Sequence, residues 1–99
     1  PAAELVAADG LDWLTRCEDT IDLLYLDADG RGGRGKSIYF DLLETALPHL
    51  ADGALVLAHN SINSKQDLAD YFGLVRDSCT FRASCNVMID PEGLEVSRR

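Results

Sequence analysis

Apolar runs of strand length alternate with helical stripes along the 99 residues. Glu4–Ala8 is a short strand-like run closed by Asp9-Gly10. Leu11, Trp13 and Leu14 then open a short helix to about Glu18, with Asp12 in its first turn, where a carboxylate suits the helix dipole. Ile21–Leu26 is too apolar for a half-exposed strand and reads as a buried parallel one. Ser37 is placed to cap a helix running to about His49, in which Ile38, Leu42, Ala46 and Leu50, with Leu43 and Leu47 beside them, keep helical spacing. Pro48 falls near its end, and Asp52-Gly53 reads as the turn out. Ala54–Ala58 is a second buried strand, ending in His59-Asn60. Asn63 or Ser64 can cap a helix over Lys65–Arg76, with Leu68, Tyr71, Phe72 and Val75 on one face. Phe81–Met88 and Leu94–Ser97 read as two strands of a hairpin around the turn Asp90-Pro91-Glu92-Gly93.

The predicted order is β-α-β-α-β-α-β-β. It defines an α/β fold: a mostly parallel sheet with helices on its faces and a C-terminal antiparallel hairpin. No repeat, low-complexity tract or linker divides the chain, so residues 1–99 read as a single domain.

Composition narrows the function classes. A formal charge of −8 argues against a general nucleic-acid binder, which needs a basic face. Arg31, Arg34 and Lys36 cluster in one loop, enough for a local site only. No apolar segment approaches the roughly 20 residues of a membrane span, and nothing resembles a signal peptide. Cys17, Cys79 and Cys85 are odd in number and lack metal-type spacing, which fits free thiols in a reducing cytoplasm. The expectation is a cytoplasmic protein that binds neither nucleic acid nor membrane. The chain opens on Pro1 rather than methionine and runs at once into a strand-like stretch, as a fragment or processed product would.

Candidate chemistry gathers in Ile21–Ser37, where a buried strand ends in Asp27 and Asp29 and a Gly- and Arg-rich loop follows. Open α/β sheets bind ligands at such strand ends. Gly30–Ser37 (GRGGRGKS) satisfies G-x-x-x-x-G-K-[ST] between a strand and a helix, the context of a phosphate-binding P-loop. Lys36 would neutralise phosphates there and Ser37 would hold Mg²⁺. Against it, Asp27 and Asp29 would repel a polyphosphate, and the next strand ends in His59 where a metal-supporting acid is wanted. The alternative uses two strand ends. Asp27 and His59-Asn60 close neighbouring parallel strands, and a carboxylate, an imidazole and an amide oxygen can together bind a divalent cation. A helix-capping Asp27 and a simple turn at His59-Asn60 would leave the same pattern.

IDLLYLDADG, then LPHLADGALVLAHN, DLADYFGLVRD and GLEVSRR, resemble the C-terminal half of class I S-adenosylmethionine-dependent O-methyltransferases, in the cation-dependent catechol- and caffeoyl-CoA-type branch with its bacterial relatives. The resemblance covers nearly the whole chain, carried by element order rather than by one motif. It implies a Rossmann-like methyltransferase sheet whose N-terminal strands are missing, and methyl transfer to a small-molecule hydroxyl. By it, Asp27, His59 and Asn60 match the metal ligands for Mg²⁺ or another divalent cation. Asp9, Gly10, Asp27 and Asp29 fall around S-adenosylmethionine, and Asn63 and Ser64 fall where the substrate is met. The cation of such enzymes binds the acceptor, lowers its hydroxyl pKa and aims an oxygen at the sulfonium methyl.

Three departures accompany the resemblance. The glycine-rich cofactor loop and the ribose-holding acid would lie upstream of Pro1. Gly30 stands where the family carries a lysine base, a role Lys36 could take from the longer loop. His59 replaces an aspartate. An incomplete sheet would also expose an apolar edge, covered by the missing half or by a second copy in a homodimer. Two rivals stand beside the enzyme: a degenerate interaction module of the same fold, and the P-loop nucleotide binder.

Overall fold

The computed structural model describes residues 2–99. Its elements are α1 (Gly10–Arg16), β1 (Ile21–Leu26), α2 (Ile38–Ala46) with a 3₁₀ turn over Leu47–His49, β2 (Leu50–His59), α3 (Ala69–Val75), β3 (Ala83–Val87) and β4 (Leu94–Arg98). The four strands form one mixed sheet in the order β1-β2-β4-β3. β1 and β2 are parallel, as the connection through α2 requires, and β4 runs antiparallel to both of its neighbours. The parallel pair and the closing hairpin agree with the sequence pattern.

The core lies between the sheet and the helices. Val56, Ala58 and Leu26 project from the strands to meet Leu14 of α1, Tyr39, Leu42, Leu43 and Ala46 of α2, and Tyr71 and Val75 of α3, all buried. The three helices thus contribute to one cluster on one face, where the alternating pattern predicted helices on both. Leu23 and Tyr25 alternate onto the other face and stay 55% and 53% exposed. β1 is therefore a half-exposed edge strand rather than the buried one its apolar sequence predicts. It lies at the end of the sheet order, with a partner on one side only.

Four more boundaries differ from the sequence reading. Glu4–Ala8 forms no strand. Leu5 is fully exposed and Val6 is 52% exposed; an apolar run with no neighbouring strand has nothing to hold it extended. Asp52-Gly53 is no turn but an irregularity inside β2, because Ile21 pairs with Leu50 while Leu23 already pairs with Leu55. Gly53 makes that bulge possible at φ 83°, a left-handed conformation costly to any residue with a Cβ.

Ser37 occupies the cap position of α2, but its hydroxyl donates to the Arg34 carbonyl and not to the helix. α3 begins at Ala69 instead of Lys65, and neither Asn63 nor Ser64 caps it. The preceding segment is held elsewhere: Ile62 N donates to Glu92 O at 2.8 Å and Asn60 N to Gly93 O at 3.0 Å, fastening residues 60–63 to the β3–β4 turn. Residues 64–68 instead close successive tight turns, with Lys65 N donating to Ile62 O at 3.4 Å and Leu68 N to Lys65 O at 3.3 Å, so the regular α-helix begins only after them.

Candidate site at the carboxyl edge of the sheet

Parallel pairing puts Leu26 opposite Ala58, so Asp27 and His59 follow side by side at the carboxyl ends of β1 and β2. Antiparallel pairing of β4 puts Leu94 opposite His59, which brings the β3–β4 turn to the same edge. Lys36 reaches back from the loop. Its Nζ lies 3.2 Å from Asp27 Oδ1 and 3.4 Å from Asp29 Oδ1, and donates to the backbone carbonyls of Asp27 at 3.3 Å and Ala28 at 3.1 Å. His59 links the two sides. Its Nδ1 is 3.6 Å from Asp27 Oδ1 and its Nε2 is 2.9 Å from Asp90 Oδ2. The result is a continuous line Lys36–Asp27–His59–Asp90.

The charged forms of Lys36, His59 and Asp90 are stabilised by their neighbours. Burial alone would lower the Lys36 pKa, but the Tyr39 phenol and the carboxylates of Asp27 and Asp29 outweigh it and raise the ammonium's pKa. Lys36 Nζ lies 5.4 Å from the centre of the Tyr39 ring. The Tyr39 hydroxyl is buried without a hydrogen bond of good geometry among the described residues, so its influence on Lys36 is one of proximity. Burial in turn pushes the Tyr39 phenol up to about 12. The hydrogen bond to Asp90 raises the His59 pKa, and the same bond lowers that of Asp90. Asp90 is oriented independently by accepting the backbone N–H groups of Glu92 and Gly93 on Oδ1, each at 3.0 Å.

The other residues singled out by sequence divide into two groups. Asp9, Gly10 and Asp29 line one cleft of about 330 Å³, walled by Leu11, Ile38 and Leu42. Asp9 also caps α1 by accepting Asp12 N. Asn60, at φ 69°, donates its side-chain amide to Asn63 Oδ1 at 3.1 Å, and Ser64 meets Asn60 through its backbone N–H. No recorded contact among the described residues joins the side chains of Asn60, Asn63 or Ser64 to Asp27 or Lys36. The sequence pattern marks Asp90 and Glu92 only as turn residues. The hairpin turn is legible in the sequence, but its place beside His59 follows only from the pairing of β4 with β2.

Asp27, His59 and Asn60 are a poor fit to a divalent cation. The Lys36 ammonium sits on the same Asp27 oxygen that faces His59, a positive charge where the cation would be. The loop Gly30–Ser37 is closed on itself. Gly30 N donates to Gly35 O at 2.8 Å, Arg34 pairs with Asp41, and Lys36 and Ser37 are engaged with backbone carbonyls as described.

No family model matches the chain, and no curated protein matches its sequence. What is established is an α/β domain with a polar line of charged residues at one end of its sheet. No helix among the described residues is long and apolar enough to cross a membrane.

Proposed function

We propose that the chain belongs to a Rossmann-like S-adenosylmethionine-dependent O-methyltransferase acting on a small-molecule hydroxyl. One observation carries the reading. The protonated Lys36, held by Asp27 and Asp29, stands at the carboxyl edge of a parallel strand pair and next to the cleft of Asp9, Gly10 and Asp29. The sheet supports it further, with a parallel pair and a closing antiparallel hairpin as the resemblance implies. S-adenosylmethionine supplies an electrophilic methyl group. The cleft suits its adenine end, with an apolar slot between Leu11, Ile38 and Leu42 for a flat ring and Asp9 at the rim for polar contact.

Lys36 has a different role from the base expected at this place. Its raised pKa keeps it an ammonium at neutral pH, so it cannot accept a proton. A fixed ammonium instead stabilises negative charge developing on an acceptor oxygen, the task a cation performs in the related enzymes. His59 is given no proton-transfer role, because its two ring nitrogens face Asp27 and Asp90. No step is assigned to a metal at Asp27, Asn60 and His59.

Calorimetric titration of the full-length protein, with the segment upstream of Pro1 that the resemblance implies, using S-adenosylmethionine and its demethylated product, tests the reading. Binding weakened about ten-fold by Asp29→Ala is expected, and the absence of binding of either compound at millimolar concentration overturns it. Where binding is present, Lys36→Met should lower kcat for methylation of a catechol by roughly 10²- to 10³-fold with a small change in KM, the signature of lost charge stabilisation in the transition state. The GRGGRGKS formula keeps a second reading, nucleotide binding. ATP or GTP binding abolished by Lys36→Ala would favour it, against the closed loop geometry. Binding of S-adenosylmethionine with no transfer would favour a degenerate interaction module.

A further inference from the structure

A second set of ligand atoms lies on the far side of His59. One of its ring nitrogens, a carboxylate oxygen of Asp90 and one of Glu92 all fall within 4.8 Å of one another, and Nε2 is the nitrogen that lies 2.9 Å from Asp90 Oδ2. Two segments supply them, the end of β2 and the β3–β4 turn, and main-chain bonds clamp the two together: Ile62 N to Glu92 O at 2.8 Å and Asn60 N to Gly93 O at 3.0 Å. Gly93 completes the clamp, since a Cβ there would lie 2.6 Å from both Ile62 Cγ1 and Ser61 Oγ. Asp90 is held in its orientation by the Glu92 and Gly93 N–H groups on Oδ1, which leaves Oδ2 facing the imidazole. All three residues are partly buried, so the atoms are ordered yet reachable from solvent.

The opposite nitrogen of the ring supplies what metal-bound histidines need. A histidine that ligates through one nitrogen commonly donates its other N–H to a carboxylate, which fixes the tautomer and makes the ligand more basic. Asp27 Oδ1 is 3.6 Å from His59 Nδ1 and is itself steadied by Lys36. Asp27 is therefore suited to orient the ligand rather than to be one. Coordination uses the Nε2 lone pair, with the ring proton on Nδ1 facing Asp27.

We propose that His59, Asp90 and Glu92 form a binding site for one divalent transition-metal ion, with Asp27 as the positioning carboxylate behind His59. One imidazole and two carboxylates suit Zn²⁺, Co²⁺ or Mn²⁺ better than Mg²⁺ or Ca²⁺, which prefer all-oxygen sets. Three protein ligands leave further positions for water or a substrate oxygen, the arrangement of an open rather than a closed metal site. The site does not depend on methyl transfer. It uses none of Asn60, Asn63 or Ser64.

Titration of the metal-free chain with Co²⁺ alone, followed by visible absorption and calorimetry, tests the proposal, with Zn²⁺ and Mg²⁺ in parallel. The expected result is one Co²⁺ or Zn²⁺ per chain, bound at least 100-fold more tightly than Mg²⁺. Asp90→Asn and Glu92→Gln should each weaken binding ten-fold or more, Asp27→Asn should weaken it about ten-fold, and Asn60→Ala should leave it unchanged. Circular dichroism identifies any variant that fails to fold. Selective paramagnetic loss of the His59 ring signals in the unaltered chain then gives the same answer without substitution. No Co²⁺ binding at millimolar concentration overturns the proposal. So does binding indifferent to Glu92→Gln and Asp90→Asn, or binding lost with Asn60→Ala, which would place the ion among Asp27, His59 and Asn60.

Discussion

Two clusters of opposite charges sit in this small sheet, and they are built differently. In one, Glu95 of β4 is fully buried. Arg76, at the end of α3, reaches it in a fork, Nε to Oε2 at 3.0 Å and Nη2 to Oε1 at 2.9 Å. Ser84 adds a bond to Oε2 at 2.6 Å and pairs with Ser97 across the strands at 2.7 Å. The guanidinium also stacks over Phe72 at 4.0 Å. Both oxygens of the carboxylate are occupied. In the other, Asp27, Asp29 and Asp90 share Lys36 and His59 at the open end of the sheet, and each of the three carboxylate side chains keeps a third or more of its surface exposed. Similar chemistry serves two ends. A closed, bidentate pair inside the fold holds β4 to α3; an open line with unfilled acceptor positions can exchange its partners for a ligand. Bulk charge does not separate the two, but accessibility and remaining hydrogen-bonding capacity do.

Breaking the closed pair should have the largest effect. Arg76→Ala leaves Glu95 buried without its counter-charge, and removing one partner of such a pair costs several kcal/mol. The half-exposed guanidinium calls for a discount, so a loss of roughly 2–3 kcal/mol is expected in urea unfolding. A loss below about 0.5 kcal/mol would mean that Glu95 is no more committed than Asp27.

The clamp beneath the open line comes next. Gly93 stands at φ 83° with no room for a Cβ. Gly93→Ala should cost roughly 1–3 kcal/mol and should also disturb the His59 ring signals, whereas Arg76→Ala should not.

Acid sharpens the comparison. Burial would raise the Glu95 pKa, but Arg76 and Ser84 outweigh it and hold the value below 4.5. Its stabilisation is therefore complete above about pH 4.5 and is lost as pH falls through the lowered folded value. His59 behaves oppositely. Its folded pKa is raised from 6.5, so its contribution is complete below that value and is lost as pH rises through the folded one. Asp90, lowered from 3.8, adds stability above that value and loses it as pH falls through its own folded one. The His59–Asp90 pair should then stabilise most between about pH 4 and 6.5. Melting curves of the unaltered chain and His59→Gln across pH 3–9 should differ most in that window, and parallel curves would show the pair to be idle. The smallest effect is expected from Asn60→Ala or Ser64→Ala on metal and cofactor binding, since neither side chain meets the charged line.

The pattern of the chain was informative wherever local order and burial coincide. Val56 and Ala58 alternate toward the helices as their run predicts, Leu42, Leu43 and Ala46 form the buried stripe of α2, and the hairpin follows from its turn residues. Asp27 and His59 could be placed together because parallel pairing of two adjacent runs leaves little choice. The reading failed where a segment depends on a partner elsewhere. Glu4–Ala8 has the composition of a strand and no neighbour to pair with. Lys65–Leu68 has helical spacing, but the residues just before it are tied to the β3–β4 turn. Asp52-Gly53 has turn chemistry that a bulge uses equally well.

Periodicity and connection length are enough to specify the α/β order, the parallel pair, and a cluster of acids beside Lys36 at one strand end. Long-range packing, by contrast, sets β4 into the sheet beside β2 and so brings Asp90 and Glu92 to His59 from 31 and 33 residues away. Strand pairing across such distances depends on which edges remain free once the helices have packed, and no local pattern encodes that.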